Sequence, residues 1–362
     1  MSTDFYPLTI SKIERLTKDA VALDFLVPDE LKEKFVFKQG QHLTVKADID
    51  GQDIRRSYSI CNGVSTQSLK IGVKAIDGGI FSNYANTELK IGMSLNIMPP
   101  QGHFYSELLE QAEKNYLLVA VGSGITPMLS QVESILSCEP KSKITLLYGN
   151  QRTSLMMFRE ELSFLKNRYM ERFQWHNFFT KEENESSILN GRISTQKIID
   201  LDAAKMINIK SIDHVFVCGP EDLTLKIAEA FEFWGLDKSH VHYELFFSGD
   251  AVKQAEKNKA KRAEKYGSKV SNLSVKVAGR KISLELEMGG NNILDAAIEN
   301  GADLPFSCKA GVCATCKAKV IRGKVEMDMN HSLTEQEVAD GMILTCQAHP
   351  VSDDVEIDFD FS

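Results

Sequence analysis

The sequence predicts a multidomain protein in three parts: an antiparallel β-barrel, an α/β domain on a parallel sheet, and a small α+β domain. Three patterns carry that reading. Short alternating runs broken by turns fill the chain from Leu8 to about Phe104, without long helical periodicity, which suits an antiparallel barrel. Apolar runs alternating with helical patterns occupy Tyr116 to Trp234, the mark of a parallel sheet with crossover helices. A hairpin pattern, a short amphipathic helix and a cysteine-rich loop follow Gly267. The boundaries fall at residues 1–108, 109–248 and 270–362, with a charged linker over 249–269.

Composition bounds the function classes. With 43% hydrophobic and 25% charged residues, the 362-residue chain can bury the cores of ordinary soluble domains. The longest strand-like apolar run, Tyr116–Val121, is far too short to span a membrane. Met1 to Ile13 places polar and charged residues where a signal peptide needs an apolar core. Outside the cysteine loop, Cys61, Cys138 and Cys218 are an odd, scattered set, which predicts reduced thiols in a cytoplasmic protein. Net charge is −8, and the span Ser271–Ser362 carries fifteen acidic against eight basic residues. That acidity argues against nucleic acid. It suits either docking on a basic protein surface or mere solubility.

In the barrel, the expected strands are Leu8–Ile13, Val21–Val27, His42–Val45, Leu69–Val73 and Ser94–Met98. Two short segments stand out, Arg55-Arg56-Ser57-Tyr58-Ser59-Ile60 and Gly78-Gly79-Ile80-Phe81-Ser82. An arginine holds a pyrophosphate bidentately, a tyrosine offers a flat face to a ring, and a small hydroxyl reaches a ring nitrogen. Glycines let backbone N–H groups approach a phosphate, with Ser82 near a helix start. Taken singly, these are a strand and a G-G turn. Together, and in this order, they favour a flavin.

In the second part, the strand Tyr116–Val121 runs into Gly122-Ser123-Gly124-Ile125-Thr126-Pro127 and then a helix over Met128–Leu136. Strand, glycine turn and helix make half of a nucleotide-binding unit, and further strands at Ile144–Tyr148 and His214–Cys218 extend it. The third ends in Cys218-Gly219-Pro220, before a helix over Leu223–Trp234. About twenty residues past the glycines, NAD sites place an acid against the ribose. Here that stretch reads Tyr148-Gly149-Asn150-Gln151-Arg152, with one arginine and no carboxylate, which favours NADPH over NADH.

Residues Ala251–Lys265 have helix propensity without an apolar stripe and carry six Lys or Arg from Lys253 onward. This reads as a solvated tether, open to trypsin. Strands follow at Leu273–Ala278 and Lys281–Glu287, then a helix at Ile293–Glu299 and a strand at Lys317–Ile321. Cys308, Cys313 and Cys316 form C-x4-C-x2-C, and Cys346 follows after 29 residues. Four thiolates at this spacing ligate the two irons of a [2Fe–2S] cluster. A zinc knuckle, which prefers paired C-x2-C units, a disulfide pair and a chance spacing are the competing readings.

The R-x-Y-S motif (Arg56, Tyr58, Ser59) and the G-x-x-S motif (Gly79, Ser82) resemble the flavin site of the ferredoxin–NADP reductase family. The resemblance implies FAD, with Tyr58 on the isoalloxazine, Ser59 toward its N5, Arg56 on the pyrophosphate and Ser82 at the phosphates. Ser57 and Phe81 complete the two motifs, and Val73 and Lys74 would line the flavin edge. It further implies a dinucleotide at Gly122, Gly124, Thr126, Pro127, Asn150 and Arg152, with Cys218, Gly219 and Pro220 beside the nicotinamide. Glu244 and Phe246, in a closing strand, would approach the flavin, so Ser59, Cys218 and Glu244 are the expected catalytic residues. Gly102-His103-Phe104 resembles the family's barrel end. Gln39 replaces a familiar proline, a change expected to affect only turn rigidity.

The C-terminal part resembles plant-type ferredoxins, which implies a β-grasp fold. Val312 stands where many of these carry serine, removing a potential hydrogen bond near the sulfides. The whole order implies an NAD(P)H-dependent reductase that passes single electrons from FAD through the cluster to an oxygenase component, a di-iron one. The alternatives are a reductase for another multicomponent mono- or dioxygenase, and a zinc or Fe–S sensing module without enzymatic activity.

Overall fold

In the computed structural model, which describes residues 4–66, 68–246, 258 and 260–361, the N-terminal runs form six strands. These are β1 (Tyr6–Thr17), β2 (Ala20–Leu26), β3 (His42–Ile49), β4 (Gln52–Ser59), β5 (Leu69–Lys74) and β6 (Ser94–Ile97), in sheet order β4-β3-β6-β1-β2-β5. An antiparallel bridge between Ile60 and Ile71 links the two outer strands and closes the barrel. Closure removes the exposed edges that an open sheet would leave. Leu8, Ile10, Leu23, Val45, Ile71 and Ile97 fill the interior, the inward half of each alternating run. Helix α1 (Ile80–Thr87) covers one end through buried Phe81 and Ala85.

Five parallel strands follow: β7 (Asn115–Val121), β8 (Lys143–Asn150), β9 (Phe173–Phe179), β10 (His214–Gly219) and β11 (Val241–Leu245), ordered β11-β10-β7-β8-β9. The order reverses direction beside β7, so the crevice at the carboxyl ends of β7 and β10 is where a nucleotide binds in such sheets. Helices α2 (Ile125–Cys138), α3 (Arg159–Arg168), α4 (Thr195–Ala203) and α5 (Glu221–Phe233) connect the strands. Barrel and parallel sheet pack as one unit, residues 5–54 and 58–246. Ala20, Ala22 and Cys61 of the barrel share a core with Leu118, Ile125 and Leu129.

Gln39 joins these layers. Its side chain is buried and donates from Nε2 to the Ser106 carbonyl at 2.6 Å. The expectation that this residue affects only turn rigidity is therefore corrected, because a proline has no donor to offer there.

The second unit gathers residues 4, 55–57 and the C-terminal segment. Its main sheet has the order β13-β12-β18-β14-β16, from β12 (Val270–Val277), β13 (Arg280–Glu287), β14 (Lys317–Arg322), β16 (Met342–Leu344) and β18 (Asp354–Asp358). A small ribbon pairs β15 (Val325–Met327) with β17 (Ala348–Pro350). Helix α6 (Ile293–Glu299) crosses the sheet with Ile293, Leu294 and Ala297 inward, and α7 (Glu335–Ala339) is held by a Thr334–Glu337 capping box.

The linker expectation is corrected over the residues described. Residues 258 and 260–266 are helical, Arg262 is buried in an ion pair with Asp328, and Lys265 reaches Glu326 at 2.9 Å. Gly289 allows this contact, since a Cβ there would lie 3.0 Å from the Ala263 Cα. No apolar stripe is needed, because a salt bridge and a backbone approach dock the helix instead. Residues 247–257 and 259 lie outside the described residues. Among the described residues, no helix is long and apolar enough to cross a membrane.

Candidate functional site: flavin, dinucleotide and cysteine loop

Strand β4 ends at Ser59, β10 near Cys218 and β11 near Glu244, and the fold brings these three residues together. Cys218 and Glu244 are register partners on adjacent parallel strands. The Ser59 hydroxyl donates to the Glu244 carboxylate at 3.0 Å. Burial, and then the charge of Glu244, push the Cys218 thiol well above its ordinary range, so it stays protonated and uncharged. Phe246 follows β11 and packs half-buried on the shared core. A hydroxyl, a carboxylate and a neutral thiol thus converge at one sheet edge.

Tyr58, one residue before Ser59, packs on Phe81 with ring centroids 5.4 Å apart. Phe81 is itself fully buried, so it braces the Tyr58 ring from behind. The Ser82 hydroxyl is spent inside its own turn, accepting from the Ile76 N–H at 3.2 Å and donating to the Gly79 carbonyl at 3.3 Å. It shapes the phosphate-side turn. The first N–H groups of α1 have no side-chain cap, and Gly78 takes φ +68° to present them. That arrangement fits an anion. Arg56 lies on β4, its guanidinium donating to the Arg55 carbonyl at 2.7 Å, and Ser57 sits between Arg56 and Tyr58. The Val73 side chain is in the barrel core, so only its backbone could face a flavin.

A cleft of about 890 Å³ opens where β7, β8 and β10 end. Of the expected dinucleotide residues, Gly122, Asn150 and Pro220 line it. Gly124, Thr126 and Cys218 sit beneath, where Gly124 touches the Cys218 carbonyl and Thr126 donates to the Ser123 carbonyl at 3.0 Å. Pro127 is buried in the first turn of α2, and Gly219 packs against Val121. The Asn150 side chain is buried on this wall beside the Tyr148 hydroxyl. Arg152 is not on the cleft wall, and its charge falls on Glu182. Instead Lys18, Lys74, Arg192 and Lys226 supply the cations, against Asp19 and Asp222. Lys74 faces Asp19 at 3.8 Å, placing it on this rim. Sequence reasoning missed Arg192 and Lys226. The one available cue was Gly191, whose φ of +89° turns the chain before α4.

In the second unit, the loop 308–316 and the turn after β16 converge on four thiols. Cys308 is half-buried, and Cys313, Cys316 and Cys346 are buried. Among the described residues no three such ligands close on a single ion. A cluster of two irons takes four thiolate ligands, the number these two segments supply, so the set fits [2Fe–2S]. The Ala310 N–H points at Cys308 Sγ from 3.3 Å, and Gly311 takes φ +74° where the loop doubles back. Thr345 ties the halves together, its hydroxyl donating to the Cys316 carbonyl at 3.0 Å.

Residues 7–105 match the oxidoreductase FAD-binding domain family, 118–228 the oxidoreductase NAD-binding domain family, and 275–351 the 2Fe-2S iron-sulfur cluster binding domain family. The chain is 42% identical to a component of the 1,2-phenylacetyl-CoA epoxidase of Escherichia coli (strain K12), over 99% of this chain and 98% of that one. It is 30% identical to the ferredoxin reductase component of 3-ketosteroid-9-alpha-monooxygenase of Rhodococcus rhodochrous, over 97% and 96%. The solved structure of phthalate dioxygenase reductase shares its fold with a TM-score of 0.60 at 22% identity, covering 98% of each chain. The chain belongs to the same family as that epoxidase component, oxidoreductases that join FAD-binding, NAD-binding and C-terminal 2Fe-2S domains in one polypeptide.

Proposed function

We propose that this chain takes a hydride from NADPH and delivers single electrons to the di-iron oxygenase component of a phenylacetyl-CoA epoxidase, in phenylacetate catabolism in the cytoplasm. Its domains divide at residues 108, 248 and 269. The convergence of the 308–316 loop on the Cys346 turn, tied by Thr345 to the Cys316 carbonyl and by Gln347 to the Lys309 carbonyl, is the observation that carries the electron-transfer reading. When bound, FAD supplies the exchange between a two-electron donor and a one-electron acceptor, and the cluster supplies the exit.

The chain's own residues position these groups. Tyr58, braced by Phe81, offers a ring face to the isoalloxazine. Arg56 takes the pyrophosphate, and the α1 N-terminus offers N–H groups to a phosphate. Ser59 and Glu244 hold a hydrogen-bonded donor–acceptor pair at the flavin edge, while neutral Cys218 keeps charge away from the nicotinamide. No proton need move beyond that pair, so orientation is the main catalytic contribution.

Preference for NADPH is supported by Arg192 and Lys226. Both are exposed on the cleft wall and have no ion-pair partner among the described residues, and no carboxylate ends β8. Arg192→Ala is expected to lower kcat/KM for NADPH about 10-fold or more, with NADH changed by less than about 2-fold. Equal loss with both nucleotides would remove the preference from this residue. The partner rests on 42% identity to the epoxidase component, and the 30% identity to a steroid monooxygenase reductase sustains a second reading. Reconstitution decides between them: product formation with a phenylacetyl-CoA epoxidase component, and none with the oxygenase component of a 3-ketosteroid-9-alpha-monooxygenase, supports the first.

A further inference from the structure

Gln347 follows the last cysteine directly, in the turn between β16 and β17, and is only 4% exposed. Its backbone is fixed on both sides, the N–H donating to the Leu344 carbonyl at 2.8 Å and the carbonyl accepting from the Asp328 N–H at 2.9 Å. The side chain enters the cysteine loop. Its Nε2 donates one N–H to the Lys309 carbonyl at 3.0 Å and shares the other between the Cys346 carbonyl at 3.1 Å and Cys346 Sγ at 3.7 Å.

Lys309 lies beside Cys308, 38 residues from Gln347 in the chain. One amide thus bonds both segments that carry the thiols. The same side chain fills the inside of the loop, where a Cβ on Gly311 would come within 3.1 Å of Gln347 Cγ. Lys309 itself holds a left-handed φ of +53°, a conformation that a residue with a side chain keeps only when its neighbours over-determine it. Two bonds do so here, Gln347 to its carbonyl and Asp295 to its ammonium at 2.6 Å.

We infer that Gln347 is a positioning residue for the cluster: it clamps the 308–316 loop to Cys346 and donates a hydrogen bond to the Cys346 sulfur that raises the cluster's reduction potential. The inference rests on the reading that the four thiols hold a [2Fe–2S] cluster. Reduction adds negative charge to the cluster, and an N–H aimed at a ligand sulfur stabilises that charge. An apolar residue of similar size would fill the space without either bond.

The test is a redox titration of the intact protein, followed by electron paramagnetic resonance, for wild type and Gln347→Leu. The expected result is a midpoint shifted to more negative potential in the variant, with altered g values, an unshifted flavin midpoint and undiminished iron. An unchanged midpoint at full iron content overturns the inference. Wild-type protein carrying 15N only in glutamine side chains gives an independent reading without a variant. A 15N hyperfine coupling to the reduced cluster is expected, and its absence overturns the sulfur hydrogen bond even if Gln347→Leu fails to fold. Wild-type protein with no [2Fe–2S] spectrum would instead refute the cluster reading beneath it.

Discussion

Gly124→Ala adds one methyl group where the turn after β7 meets the end of β10. Gly124 has φ −61° and ψ −6°, which any residue adopts, so its conformation does not demand glycine. Space does. An added Cβ would lie 2.2 Å from the Cys218 carbonyl oxygen, 2.7 Å from its carbon and 3.2 Å from the Gly219 nitrogen. All three are backbone atoms of a central strand, so no side chain can swing away. Relief requires the turn and β10 to part by roughly 1 Å, and overpacking of this kind costs about 1–3 kcal/mol. Because Cys218 is the register partner of Glu244, the shift also displaces the nicotinamide side of the site. A misplacement of that size lowers catalysis about 100-fold. Urea denaturation and steady-state kinetics with NADPH measure the two effects. Gly122→Ala is the control: its φ is +57° and its Cβ meets nothing within 4 Å, so it costs about 1–2 kcal/mol from conformation without moving β10. A Gly124→Ala protein within about 0.5 kcal/mol of wild type, with unchanged kcat/KM, refutes the reasoning.

Three further outcomes follow from particular contacts. His214 and His242 lie 3.2 Å apart between ring nitrogens, and burial with the charge of His240 brings their pKa values down to about 3 and about 4. The unfolded chain then binds more protons below its ordinary value near 6.5, so stability is full above that pH. It falls toward pH 4 by about 1.4 kcal/mol per unit for each imidazole; urea midpoints across pH 4–8 should show this slope, and His242→Phe, stacked on Phe216, should make it shallower. Gln39→Pro should cost about 1–3 kcal/mol by leaving the Ser106 carbonyl unbonded, whereas a gain in thermal midpoint would restore the turn-rigidity view. Limited trypsin digestion read by mass spectrometry should spare the bond after Arg262, because its guanidinium is buried against Asp328; early cleavage there would contradict a docked helix.

The parts of this protein that depend on local pattern are legible in its sequence. The helix expected at Ile293–Glu299 has those bounds, because an asparagine cap precedes an apolar stripe that the sheet covers. The barrel strands cover the short apolar runs expected of them, with β1 running longer at both ends than Leu8–Ile13. Strand β9 is hidden because Phe-Gln-Trp-His-Asn-Phe-Phe alternates poorly, and α3 because its polar face dominates. Among site residues, Ser59, Cys218 and Glu244 are far apart in sequence, and only the strand register joins them. Arg192 is invisible for a related reason, lying beyond β9 while Arg152 stands at the expected distance from the glycines. Arg262 looks like one charge among many in a solvated linker. Its burial depends on Asp328 and Gly289, neither predictable from the linker itself.

Anaerobic titration of the purified protein with NADPH, followed together by visible absorption and electron paramagnetic resonance, tests the central claim most directly. Flavin and [2Fe–2S] bands should both bleach, with a paramagnetic signal from the reduced cluster appearing as the flavin is reduced. A flavin that bleaches while the cysteine loop holds zinc, and yields no such signal, would contradict it.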